Sequence, residues 1–253
     1  MQVSGHAKES QNICRYAAWA RSAPHTINAH TIRSNAMKKN YLQELDSAYA
    51  FTTKLDASFG RLPVQHGSLF TPELGEEIYA ALQVLGIRSF IKAAGQCIKW
   101  SHALRPVVEE VLGVQVLLTI GQVRTPTRTF FDPSFDDLER WYYHGLDARN
   151  IEERSGINMH AWWTLPTGEI LDVTLWSTLA VAWNEPERLG AVAGGWPDKI
   201  APNLLYVPMV VGDDYIEKVE RRMAYGHFLA RECTMAELEA APVMGMRSWH
   251  ELP

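Results

Sequence analysis

Apolar residues along this chain recur with two different periods, and the changes of period outline its elements. Leu74, Ile78, Leu82 and Leu85 follow Thr71-Pro72 at three- and four-residue intervals and stop before Gly86. That spacing predicts a helix with one buried stripe, capped by Thr71 and opened by Pro72. A second stripe, Trp100, Leu104, Val107, Val108, Val111 and Leu112, begins just after Cys97 and ends at Gly113. Pro106 lies inside it and predicts a kink or a lost bond near His102. Beyond Gly113 the period shortens. Residues 114–120 read as a strand, and residues 157–164 and 168–175, rich in aromatic and β-branched side chains, read as a β-hairpin. A three-residue loop, Pro166-Thr167-Gly168, with Gly168 left-handed, puts Asp172 diagonal to His160 on one face. A two-residue loop would put them on opposite faces.

The remaining segments are patterned less sharply. Residues 40–90 look mainly helical, and residues 125–156 read as a polar loop with a short helix at about 136–144. Residues 176–193 read as partly helical, 194–198 as a loop, and 204–211 as a strand. A helix is expected over 213–231, with Asp213 and Asp214 as cap and first-turn charges, and Thr234 with Glu237 makes a capping box for a shorter one. Residues 1–36 carry Lys8, Arg15, Arg21 and Arg33 against the single acidic Glu9 and show little periodicity. They read as a dispensable arm or a start misplaced ahead of Met37, leaving 37–253 as one domain with a C-terminal helical extension. Helices beside an antiparallel hairpin make the fold class α+β.

Composition narrows the function classes without choosing one. With 253 residues, 47% hydrophobic and 21% charged, the chain is long enough for one large domain. A net charge of −5 gives no electrostatic case for nucleic acid or an anionic membrane. No apolar run approaches the roughly 20 residues of a membrane span, and no secretory signal is visible. Cysteines at 14, 97 and 233 form neither a disulfide framework nor a zinc pattern, so a reducing, cytoplasmic setting is expected.

Candidate chemistry centres on Cys97, His160 and Asp172. In the first turn of its helix, Cys97 meets unpaired amides and the positive end of the helix dipole, which lower a thiol pKa and can hold an oxyanion. Gly95 permits a sharp turn beside it. A lone buried cysteine is usually a small hydrophobe, and a lone His or Asp usually belongs to the core or an ion pair. Together the three residue types supply a nucleophile, a general base and the carboxylate that fixes the base's tautomer.

These segments resemble the transglutaminase-like superfamily, whose members share a papain-like core. The resemblance runs through Gly95 and Cys97, then Trp100, Ser101, His102 and Leu104, then Leu112-Gly113-Val114, His160-Ala161-Trp162 and Leu171-Asp172-Val173-Thr174. It covers roughly residues 90–180 and implies a nucleophile helix packed on an antiparallel sheet. It also implies Cys97 as nucleophile, His160 as general base and acid, and Asp172 as orienting carboxylate. The 125–156 segment is longer and more polar than the family's usual connection, and nothing outside the matched region identifies an accessory domain.

The expected activity is a cysteine-dependent hydrolase of amide bonds, a thiol protease or glutamine deamidase acting through a thioester on a peptide, protein or small amide. Acyl transfer to an amine uses the same triad and is the alternative, as is a catalytically inactive binding domain. Nothing indicates a cofactor, a calcium site or a second amine site. Ligation of a metal by Cys97, His160 and Asp172 is disfavoured, because that is an uncommon zinc set. Trp162 and Gln96 are candidate substrate contacts, Gln96 through an oxyanion site. His102 reads as a packing residue or a support behind the site rather than the base, Cys14 and Cys233 have no activating partner, and His25 and His30 read as solvated. Oligomeric state is not legible.

Overall fold

The computed structural model describes residues 27–87, 90–146, 158–201 and 204–223, with backbone alone for 27–40 and 90. Helix α1 spans Ile27–Lys54. Its buried stripe of Tyr41, Leu45, Ala48, Tyr49 and Thr52 follows helical spacing. The helix runs through position 37, so no change of element marks the expected boundary at Met37. Residues 57–71 are not helical, which corrects the mainly helical reading of 40–90. Helix α2, Pro72–Val84, begins as expected: Thr71 Oγ1 accepts from Leu74 N at 3.2 Å, and Ile78 and Leu82 are fully buried.

Helix α3, Cys97–Leu112, continues through Pro106 and ends at left-handed Gly113. The proline removes one helical bond. Its ring faces solvent, and Trp100, Leu104 and Val108 anchor the helix on both sides of it. Strand β1, Leu117–Arg124, starts and ends later than expected. The polar segment after it holds a strand that its pattern did not suggest, β2 at Thr129–Phe131, and helix α4, Phe135–His144, close to the helix expected at 136–144. Ser134 and Asp137 form a reciprocal capping box for α4.

Strands β3, His160–Thr164, and β4, Ile170–Asp172, form the predicted hairpin. Thr164 pairs with Ile170 and Trp163 with Leu171, and Gly168 is left-handed at φ 84°. The three-residue loop therefore holds. Helix α5, Leu175–Trp183, follows. Residues 194–198 are not a simple loop, because β5 occupies Ala193–Gly195 and α6 occupies Pro197–Ile200. Two adjacent glycines suggest a loop, yet here they let the Phe70 ring lie against the strand. A Cβ at Gly194 would come within 2.1 Å of that ring. Strand β6, Leu205–Val211, leads into helix α7, Asp213–Arg221, which ends before the expected limit at 231. The Thr234–Glu237 capping box, Cys14, Cys233 and His25 lie outside the described residues.

The six strands among the described residues all pair antiparallel. β6 lies on one edge of β1, while β3 and β2 share the other edge. β4 and β5 extend the sheet beyond β3. Strand alternation separates two faces. Trp162, Ile170 and Tyr206 pack with Tyr41 of α1 and with Leu175 and Leu179 of α5. On the opposite face Trp163 and Leu171 pack with α2 and α3, and Leu118, Ile120 and Ala161 pack with residues of α3, α4 and α7. The sheet is thus covered by helices on both sides, which explains why every residue of β3 and β4 is buried. No helix among the described residues is long and apolar enough to cross a membrane.

Candidate functional site

Cys97 is the first residue of α3. The chain enters through Gly95, left-handed at φ 69°, whose N–H donates to Thr178 Oγ1 of α5 at 3.1 Å. The first-turn amides of a helix have no intrahelical acceptor, so the thiol sits at an electropositive end. Cys97 is buried, 7% exposed, and its Sγ–H donates to Met159 O at 3.7 Å.

His160 begins β3 immediately after that carbonyl. It pairs with Gly121 of β1 and shares a face with Trp162 and Asp172. The body of α3 packs on the other face, where the Trp163 indole donates to Ser101 O at 3.0 Å. The nucleophile candidate reaches the imidazole only because it stands at the helix end, where β3 begins. A cysteine one or two turns further along α3 would face Trp163 instead.

Asp172 is the most heavily solvated group in the cluster, and protein atoms do the solvating. Its Oδ2 lies 2.6 Å from His160 Nε2 and accepts from the Tyr206 hydroxyl at 3.1 Å. Its Oδ1 accepts from Thr174 N at 2.9 Å, Thr174 Oγ1 at 3.1 Å and Leu175 N at 3.0 Å. Two of these donors are amides at the start of α5, so the helix terminus holds the carboxylate in place. Burial alone would favour a protonated Asp172. The His160 charge, then the bonds from His160, Thr174 and Leu175, outweigh it and hold the pKa below the ordinary carboxylate value.

His160 is fully buried, which opposes its charging. The Asp172 carboxylate and the nearby Cys97 thiol act more strongly in the other direction and raise its pKa to about 10. With Nε2–H directed at Asp172, Nδ1 has no hydrogen-bond partner among the described residues. The thiol is close enough to act on the ring's charge, but its aligned bond goes to Met159. Phe131 stacks on the imidazole with ring centroids 4.8 Å apart, and Trp162 flanks it at 6.2 Å.

Cys97, His160 and Asp172 therefore come together as the sequence predicts. Gln96 is the N-cap residue of α3, adjacent to the thiol, and it is buried. Trp162 is fully buried, and its indole donates to Tyr41 Oη at 3.0 Å. It backs the histidine and has no exposed surface. His102 is remote in role: its Nδ1 pairs with Asp213 at 2.9 Å, and Arg105 binds the same carboxylate. Asp213 and Asp214 are more than first-turn charges, since Asp214 also accepts from Ser58 N at 2.7 Å. Among the described residues no group of three or more His, Cys, Asp or Glu side chains is placed to hold a metal ion.

Sequence reasoning missed Phe131, Tyr206 and the Met159 carbonyl. Thr174 had a readable signal, because a threonine two residues after an aspartate before a helix is a common local hydrogen-bonding arrangement. Tyr206 had none, since its bond to Asp172 crosses from the far edge of β1. No family model, no curated protein and no solved structure matches the chain.

Proposed function

We propose that this protein is a cysteine-dependent amide hydrolase, a peptidase or glutamine deamidase built on a papain-like, transglutaminase-like core. One observation carries the reading: a buried imidazole has one nitrogen fixed by a fully hydrogen-bonded carboxylate and the other unpaired among the described residues, beside a thiol at a helix N-terminus. A histidine serving only packing would gain nothing from an orphaned buried nitrogen, which costs stability. The order of a nucleophile helix followed by a His strand and an Asp strand, all on an antiparallel sheet, is what the resemblance implies.

In the proposed cycle the Cys97 proton passes to His160 Nδ1, giving a thiolate–imidazolium pair that the raised His160 pKa favours at neutral pH. The thiolate attacks the amide carbon, and first-turn amides of α3 take up charge on the carbonyl oxygen. Imidazolium gives its proton to the leaving nitrogen as the C–N bond breaks, leaving a thioester on Cys97. Water, deprotonated by His160, attacks the thioester carbon and releases a carboxylic acid and the thiol. An amine in place of water gives acyl transfer.

The discriminating experiment incubates the protein with a mixture of unmodified peptides, with and without a small primary amine, and reads products by mass spectrometry. Peptide cleavage or a deamidation increment, lost in Cys97→Ala, supports hydrolysis, whereas a Cys97-dependent amine adduct redirects the assignment to acyl transfer. No Cys97-dependent product from any peptide contradicts both. The binding-domain reading rests on one observation as well, the near-complete burial of Cys97 and His160, and the same null result favours it.

A further inference from the structure

We infer that Tyr206 is a positioning residue of this site, setting through Asp172 the proton affinity of His160. The inference rests on the reading of Cys97 and His160 as a nucleophile–base pair. Tyr206 comes from β6, on the opposite edge of β1 from the hairpin, yet its hydroxyl donates at 3.1 Å to the same Oδ2 that holds His160 Nε2 at 2.6 Å. Both side chains and the carboxylate are buried, so water does not compete for that oxygen. The Trp162 ring meets Tyr206 edge-on, with centroids 5.1 Å apart, and fixes the phenol's approach.

The physical consequence follows from two donors sharing one acceptor. A hydrogen bond from a neutral phenol disperses charge on Oδ2, so the oxygen binds the imidazolium less strongly than an unshared oxygen would. Burial, then the Asp172 charge, raise the Tyr206 pKa well above its ordinary value, so the phenol remains a donor wherever Asp172 is ionised. Thr174 and Leu175 occupy Oδ1, which prevents the carboxylate from rotating to offer His160 a free oxygen. Among the described residues the titratable groups facing this cluster are Cys97 of α3, His160 of β3, Asp172 of β4, Tyr206 of β6 and Tyr41 of α1. Strands β2 and β5 and helix α5 contain no charged residue. A change at Tyr206 is therefore not masked by another ionising neighbour from those elements.

The test uses iodoacetate, whose alkylation of a thiolate declines when the adjacent imidazolium loses its proton. Wild type, Tyr206→Phe and Tyr215→Phe are compared across pH, with thermal unfolding measured in parallel. Tyr215 is a matched buried tyrosine that donates to Leu138 O at 2.9 Å, outside the cluster. Tyr206→Phe is expected to move the upper pH midpoint of Cys97 labelling upward by about half to one unit, roughly three- to tenfold in His160 proton affinity. Tyr215→Phe is expected to lower the unfolding temperature and leave the midpoint unchanged. Should Tyr206→Phe fail to fold, 3-fluorotyrosine at 206, a stronger donor, is expected to move the midpoint downward. An unmoved midpoint in a folded Tyr206 variant, against a wild type that labels as an ion pair, overturns the positioning role alone. A wild type that labels only as an ordinary thiol overturns the nucleophile reading and this role with it.

Discussion

At the scale of single residues, the cluster is decided by what each polar atom can reach. Among the described residues Asp172 collects five donors while His160 Nδ1 collects none, although both residues are buried. That asymmetry has a consequence for stability. The folded pKa of His160 is raised from 6.5 to about 10, so its contribution is fully present below about 6.5 and is lost as pH rises toward about 10. Asp172 has the opposite sign. Its folded pKa lies below the ordinary 3.8, so its contribution is present above that value and is lost as pH falls through the depressed one. Urea unfolding of wild type minus His160→Gln should show a stability difference that declines between about pH 6.5 and 10. A difference that stays flat over that range would mean the ring is neutral in the folded protein.

At the scale of elements, the site depends on how β1 meets its neighbours. Gly121 pairs with His160 on one side and sits at the irregularity between β1 and β6 on the other. A Cβ at this position would lie 2.0 Å from Val207 O and 3.1 Å from Met209 N, both backbone atoms that cannot rotate away. Gly121→Ala should destabilise the protein by about 2 kcal/mol or more, read by urea unfolding, and should lower Cys97 labelling by shifting the strand beneath His160. An alanine that costs no more than about 0.3 kcal/mol would show that the β1–β6 approach is looser than these distances. The hairpin was legible from strand period and turn residues, but its loop length was open between two and three residues, and the Thr164–Ile170 pairing selects three. Helix α3 was legible from its stripe, and it stayed whole through Pro106 because apolar anchors flank the proline. Strands β2 and β5 were hidden for opposite reasons. One has three residues in a polar segment, and the other is made of glycines whose value lies in the Phe70 ring packed on them.

At the scale of the whole molecule, the arrangement is a sheet between two helical layers, with the candidate site where a helix and a strand both begin. The three candidate groups come from elements spread over 76 positions of sequence, Cys97 to Asp172. Their residue types and local patterns were readable, but the fourth partner, Tyr206, was not. Its contact depends on strand order, which no local period encodes. The sheet faces were also unreadable in advance: α3 covers the Trp163 face, while His160 and Asp172 look the other way. The central claim is that Cys97 and His160 form a reactive pair despite their burial. It is tested most directly by the pH dependence of Cys97 alkylation with iodoacetamide, read by peptide mass mapping in wild type and His160→Ala. The account predicts rapid labelling of wild-type Cys97 well below pH 8, slowed at least about tenfold at pH 6 in the variant. Labelling that rises only near the ordinary thiol pKa and is indifferent to His160, or no labelling in the folded protein, would contradict it.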